Sequence, residues 1–263
     1  MNVVILKACA EDPQDRYQTA EELHADLALL NSGSHSPAHF SPDGQRIVTA
    51  AEDHTVRLWN AQTGQEMIPP HRHLGPVNAV EFSPDGSKVL TASSDGTASV
   101  LDARTGALVF PPLKHAGPVN AATFSPDGAW IATADGDGKV WRFNADTGEL
   151  LSSPLEHAGP VNAVAVSPVG QWLAMATEDG RVRIWEAGSD QLKHRFRLEG
   201  PVRLVRFSAD GKWLAAAVHA DAPGEANKEW QVLVWEVESG RMLGEPLAHN
   251  HVYSLAFSPD IVF

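Results

Sequence analysis

Histidines, aspartates and hydroxyls recur through this chain at separations that invite a chemical reading. His71 and His73, or His249 and His251, stand one residue apart and could share a metal ion, but no carboxylate or cysteine is spaced to complete a ligand set. Asp135-Gly136-Asp137-Gly138 has the look of a calcium loop, yet the remaining oxygen ligands and the closing glutamate are missing, so it reads as a turn between strands. Ser, His and Asp are numerous enough to compose a triad on paper. No nucleophile elbow or Gly-rich phosphate loop accompanies them. The expectation is therefore no catalytic residue, no metal and no cofactor, and these side chains must have a structural reason for their spacing.

That reason is a repeat. Ser-Pro-Asp-Gly begins at Ser41, Ser83 and Ser125; variants follow at Ser167 and Ser208, and another Ser-Pro-Asp at Ser258. The intervals are 42, 42, 42, 41 and 50 residues. Gly-Pro-Val at Gly75, Gly117, Gly159 and Gly200 keeps the same phase, as does the bulky position Trp59, Leu101, Phe143, Trp185 and Trp235. Inside one repeat the apolar period is two. Val77–Phe82 alternates as a half-buried strand does, and Ser83-Pro84-Asp85-Gly86 supplies a turn. Val89–Ala92 and Ala98–Leu101 follow as second and third strands. A fourth is expected over Ala107–Phe110, ending at Pro111-Pro112 and therefore at the sheet edge.

Four short antiparallel strands every 40-odd residues resemble the blades of WD40 β-propellers. Trp59-Asn60 and Trp185-Glu186 stand where that family's Trp-Asp dipeptide falls, and His73, His115 and His157 where its Gly-His histidine falls. The resemblance implies an all-β propeller segment of about five four-stranded blades plus one strand, over approximately 37–74, 75–116, 117–158, 159–199, 200–250 and a partial 251–263. It also implies a hydrogen-bonded chain of His, Ser/Thr, Asp and Trp within each blade. By position these are Thr49, Asp53 and Trp59 in the first blade, His73, Thr91 and Asp95 in the second, His115, Thr133 and Asp137 in the third, and His157, Asp179 and Trp185 in the fourth. No blade carries all four: Leu101 and Phe143 replace tryptophan, Met175 replaces the hydroxyl, and the first blade lacks the histidine.

The fifth repeat is eight residues longer than its neighbours. The excess falls within 219–229, between second and third strands, and marks His219, Asp221, Glu225, Asn227, Lys228 and Glu229 as a candidate partner loop, although an exposed extension costs little by itself. Val252–Phe257 reads as a leading strand with no blade behind it. Because seven blades at this period need more residues than the chain has, an open arc is expected, and pairing of that strand with Arg46–Ala50 is not.

Before Asn31 the pattern is helical. Thr19-Ala20-Glu21-Glu22 is a capping box, Ala20, Leu23, Leu27 and Leu30 recur at helical spacing, and Asn31-Ser32-Gly33 ends the run. A shorter helix is expected over Asn2–Ala10. This helix–loop–helix (1–30, followed by a linker at 31–36) resembles the C-terminal end of a bacterial-type Ser/Thr protein kinase domain, with Asp12, Pro13 and Arg16 matching its Asp-Pro-x-x-Arg loop. In that family the arginine pairs with a glutamate that this chain does not contain. The Gly-rich ATP loop, the catalytic-loop aspartate and the Asp-Phe-Gly are absent as well, so this chain is not expected to be an enzyme.

Composition limits the partners. A net charge of −13 opposes a phosphate backbone. The single cysteine, Cys9, permits no intrachain disulfide, and no apolar run is long enough to span a bilayer. The reading is a cytoplasmic, non-catalytic scaffold for proteins or peptides, either the recruitment or sensor part of a kinase–WD40 protein, part of an active kinase whose catalytic motifs lie upstream, or a truncated fragment without function.

Overall fold

The computed structural model describes residues 38–51, 53–189, 191–220, 229–250, 252 and 255–257. The expected N-terminal helices and linker lie outside these residues, as do Asp12, Pro13 and Arg16. The described chain is all β: five antiparallel four-stranded sheets, each built from four consecutive strands. Their first strands are Ala38–Phe40, Val77–Phe82, Val119–Phe124, Val161–Val166 and Val202–Phe207. These strands lie side by side at the inner edge of the blades.

Each blade forms because its turns are chemically specified. In Ser83-Pro84-Asp85-Gly86 the Ser83 hydroxyl donates to the Asp85 carboxylate at 2.6 Å and accepts the Lys88 N–H at 2.9 Å, while Gly86 adopts φ +70°. The bonds to Ser83, with those from the Ser87 hydroxyl and N–H, hold the Asp85 carboxyl down at about 2. The same Ser–Asp bond recurs at Ser41, Ser125 and Ser208. In the fourth blade Val169 replaces the aspartate, and Ser167 keeps only its bond from the Trp172 N–H.

The fourth strand is displaced from its expected position. Ala107–Phe110 is not a strand: Leu108 makes one isolated bridge to Leu101, and pairing resumes after the two prolines, at Leu113–Lys114. Pro111 and Pro112 lack the N–H needed to continue a ladder, so the edge strand starts beyond them. Only the fourth blade, with no proline there, has a six-residue outer strand, Leu192–Arg197.

The core is a series of interfaces between neighbouring blades. Val48, Val56 and Leu58 of the first pack on Val80, Phe82 and Val89 of the second. Leu90 and Val100 then meet Phe124 and Ile131, Val140 meets Val164 and Leu173, and Ile184 meets Val205, Leu214 and Trp235. Asparagines reinforce the joints: the amides of Asn78, Asn120 and Asn162 donate to the carbonyls of Val119, Val161 and Val202 on the next blade at 2.8, 2.9 and 3.0 Å.

Among the described residues the two end blades share no core cluster. Ile47, Phe40 and Trp59 form one cluster on the first, while Ala215, Ala217 and Val232 on the fifth are covered by Val252, Leu255 and Phe257. Arg46–Ala50 pairs with Ala38–Phe40 and Thr55–Asn60. Thus Val252, Leu255 and Phe257 sit against the fifth blade, where the inner strand of a further blade would pack, and not on the first.

Candidate functional site

Three groups of residues qualify as functional: the polar networks inside the blades, the extended connection in the fifth, and a cavity at the inner edge.

In the second blade His73, Thr91 and Asp95 come together. His73 Nε2 lies 2.9 Å from the Thr91 hydroxyl, and Nδ1 lies 3.2 Å from Asp95 Oδ2 and 3.1 Å from the Thr97 hydroxyl. Asp95 also accepts the Leu74 N–H at 2.8 Å and the Thr97 hydroxyl at 2.6 Å, so one carboxylate ties the inter-blade loop to the second and third strands. Burial raises the Asp95 carboxyl, but these bonds outweigh it and hold the group below the usual range. For His73 burial wins: it lowers the imidazole below its ordinary value against the pull of Asp95.

The third blade uses a different aspartate from the one its position suggests. Asp137 is exposed, while Asp135 is buried beside His115 Nδ1 at 3.5 Å and accepts Trp141 Nε1–H at 2.8 Å and the N–H groups of Asp137 and Lys139 at 3.1 and 2.9 Å. The strand ends at Asp135 with its side chain inward, whereas two residues later the chain has turned to solvent. Trp141, two residues before Phe143, supplies the indole N–H that the Phe143 position lacks. Thr133 stays in place, 3.3 Å from His115 Nε2.

The first and fourth blades are partial. Trp59 Nε1–H donates to Thr49 at 2.9 Å, and Asp53 turns to the Thr55 hydroxyl at 2.6 Å. In the fourth, Asp179 accepts from Thr177 at 2.5 Å and pairs with Arg181, while His157 Nδ1 meets the Arg183 guanidinium. Burial, then the Arg183 charge, push His157 down to about 4. Its Nε2 and the Nε1 of Trp185 are buried with no hydrogen-bond partner.

None of these groups is arranged for catalysis. Most of their polar atoms bond to a strand or a loop, and among the described residues no three His, Cys, Asp or Glu side chains converge as metal ligands. His71 and His73 meet as edge-to-face rings 5.0 Å apart.

The fifth-blade connection is shorter than the sequence implies. Its flanking strands extend to Trp213–Ala220 and Glu229–Glu236, with His219 paired to Trp230 and their rings 5.2 Å apart. His219 and Glu229 therefore belong to a lengthened hairpin. Asp221, Glu225, Asn227 and Lys228 lie outside the described residues.

The inner cavity escaped the sequence reading. His39, Glu81, Thr123, Ala165 and Arg206, one from the first strand of each blade, line a single space of about 230 Å³, with Val166, Pro168 and Phe207. Each of the five stands two residues before the turn serine of its repeat, at intervals of 42, 42, 42 and 41. That common offset was the available signal. Glu81 is half-buried by area, yet the surface it shows faces the cavity and protein surrounds its carboxyl. Burial raises that carboxyl to about 7, against the opposing influence of the Thr123 hydroxyl, the Arg206 charge and the Phe124 N–H.

Comparison with known proteins agrees with this architecture. The family model "WD domain, G-beta repeat" matches residues 34–60, 67–102, 110–144 and 148–186, more than half of the chain. The chain belongs to the WD40 repeat family. It is 38% identical over 64 residues, 23% of its length, to the Periodic tryptophan protein 2 homolog of Dictyostelium discoideum. It is also 40% identical over 52 residues, 20% of its length, to Serine/threonine-protein kinase PknB of Mycolicibacterium smegmatis, and 38% identical over 52 residues to that of Mycobacterium tuberculosis. Each match spans 7% of the relative's own length. WD40 repeats mark this chain as a protein-interaction scaffold, and no helix among its described residues is long and apolar enough to cross a membrane.

Proposed function

We propose that this chain is the recruitment or sensor part of a bacterial Ser/Thr kinase–WD40 protein, a non-catalytic platform that holds protein or peptide partners beside a kinase domain in the cytoplasm. The observation that carries the reading is the joining of WD40 blades to a segment in which Asp12, Pro13 and Arg16 match the end of a kinase domain. The match to Serine/threonine-protein kinase PknB, 40% identical over 52 residues, supports it. A propeller suits the role because rigid blades hold their connecting loops as a preformed surface. The strong negative charge favours protein over nucleic acid as the partner. The connection at 221–228 is the proposed contact, since lengthening one hairpin in a repeat array adds reach on a single face.

The reading frame upstream decides the kinase linkage. The expected finding is a Gly-rich loop, a His-Arg-Asp and an Asp-Phe-Gly in frame; their absence would sink it. If they are present, deleting the blades from the whole gene product should leave autophosphorylation intact while phosphorylation of a recruited substrate falls. Removal of 221–228 should release the partner in a pull-down. If deleting the blades changes no substrate, the WD40 part has no recruiting role and the second reading, a kinase with a passive appendage, holds. A truncated copy without function predicts poor solubility and no partner.

A further inference from the structure

We propose that the cavity at the inner edge of the blades binds a carboxylate-bearing ligand anchored by Arg206. This goes beyond the kinase-linked reading and does not depend on it. Four of the five equivalent inner-strand positions carry polar side chains, His39, Glu81, Thr123 and Arg206, and all of them face one space of about 230 Å³. The fifth position is apolar: Ala165, with Val166, Pro168 and Phe207, forms a wall against which methylenes can lie.

The polarity of the ring selects the ligand. Arg206 is exposed and makes no hydrogen bond or ion pair to another side chain among the described residues, so its planar fork of donors is open to a planar bidentate acceptor. The Glu81 carboxyl is already engaged by the Thr123 hydroxyl and the Phe124 N–H. A cation entering to pair with Glu81 would meet Arg206 and find the carboxyl partly occupied. An acid entering to pair with Arg206 finds, when Glu81 is protonated, an O–H donor beside it. The volume lies below the roughly 300 Å³ at which drug-sized pockets begin, which suits a short acid or the acidic end of a peptide and not a nucleotide.

Charge sets the pH dependence. Three titratable groups face the cavity: His39 from the first blade, Glu81 from the second and Arg206 from the fifth; the third and fourth blades contribute Thr123 and apolar side chains. An anion between them favours protonated Glu81, whose midpoint is about 7. Binding should therefore take up a proton, and affinity should fall as pH rises through neutrality.

Calorimetric titration of the full chain tests this, with succinate, a short peptide ending in a free carboxylate, the same peptide amidated, and inorganic phosphate as probes. Succinate or the acid peptide should bind once per chain, more weakly above the Glu81 midpoint than below it. Preference for succinate identifies a free small acid as the source, and preference for the peptide identifies a partner's carboxylate. Arg206→Gln should weaken binding about tenfold or more, Arg206→Lys less, and Glu81→Gln should keep binding but flatten the part of its pH dependence centred near 7. Arg206→Met provides a second weakened variant should Arg206→Gln unfold, and thermal melts identify any that do. No binding of either acid by the native chain, equal binding by folded Arg206→Gln, equal binding of the amide, or equal binding of phosphate would each overturn the proposal.

Discussion

His157 Nε2 and Trp185 Nε1 lack the same partner. In the sister blades Thr91 lies against His73 Nε2 at 2.9 Å and Thr49 accepts Trp59 Nε1–H at 2.9 Å; the equivalent residue of the fourth blade is Met175, which is fully buried and has no hydroxyl. One substitution therefore orphans two buried polar atoms. The blade keeps its place because Met175 packs with Val164 and Leu173 in the joint to the third.

The same loss can be imposed on the second blade. Thr91→Val keeps the shape but leaves His73 Nε2 unpaired, and should cost about 1–3 kcal/mol of unfolding free energy in a urea titration. Met175→Leu conserves volume where no hydroxyl bond exists and should cost less than about 1.5 kcal/mol. Equal costs would mean that the network adds nothing to stability.

Asp135 and Asp137 should respond oppositely to truncation. Asp135→Ala leaves the Trp141 indole N–H and two part-buried backbone N–H groups without their acceptor, and is expected to cost about 3 kcal/mol. Asp137→Ala, on the exposed turn, should stay within about 0.5 kcal/mol. Thermal unfolding of the two variants makes the comparison directly.

His54 occupies a left-handed position, φ +69°, where Gly96, Gly138 and Gly180 stand in the next three blades. His54→Gly relieves that conformation and should stabilise the chain by up to about 1 kcal/mol, the cost of the backbone strain exceeding the entropy glycine brings. At Gly138 a Cβ would come within 2.6 Å of the His157 carbonyl oxygen and at Gly180 within 2.5 Å of that of Leu198, so alanine there should destabilise by about 2 kcal/mol or more. Opposite shifts in the unfolding midpoint are the expected result.

Glu81 should make stability depend on pH near neutrality. Its carboxyl titrates at about 7 in the folded chain against an ordinary 4.5. Between those values the folded state holds a proton that the unfolded state has released, so stability falls as pH rises across this window, by at most about 3 kcal/mol. Glu81→Gln should flatten that part of the profile. An unchanged slope between the native chain and the variant would show that the carboxyl is not buried as described.

Much of this protein was legible in its sequence because the relevant interactions are short in range. The 42-residue interval, the alternating strands and the Ser-Pro-Asp-Gly turns rest on contacts between residues two to five apart, and such contacts are written into the local order of residue types. Even the anomaly of the fourth blade is visible at Met175. Other features depend on where side chains point after the strands have paired and the blades have stacked. Whether Asp135 or Asp137 turns inward is set by where the strand ends, and Pro111-Pro112 moves the edge strand by interrupting a ladder that only pairing creates. The cavity is the clearest case. His39, Glu81, Thr123 and Arg206 are forty or more residues apart and share nothing until inter-blade packing aligns the first strands. Sequence determined the blade; the stacking of blades decided which of its residues face one another.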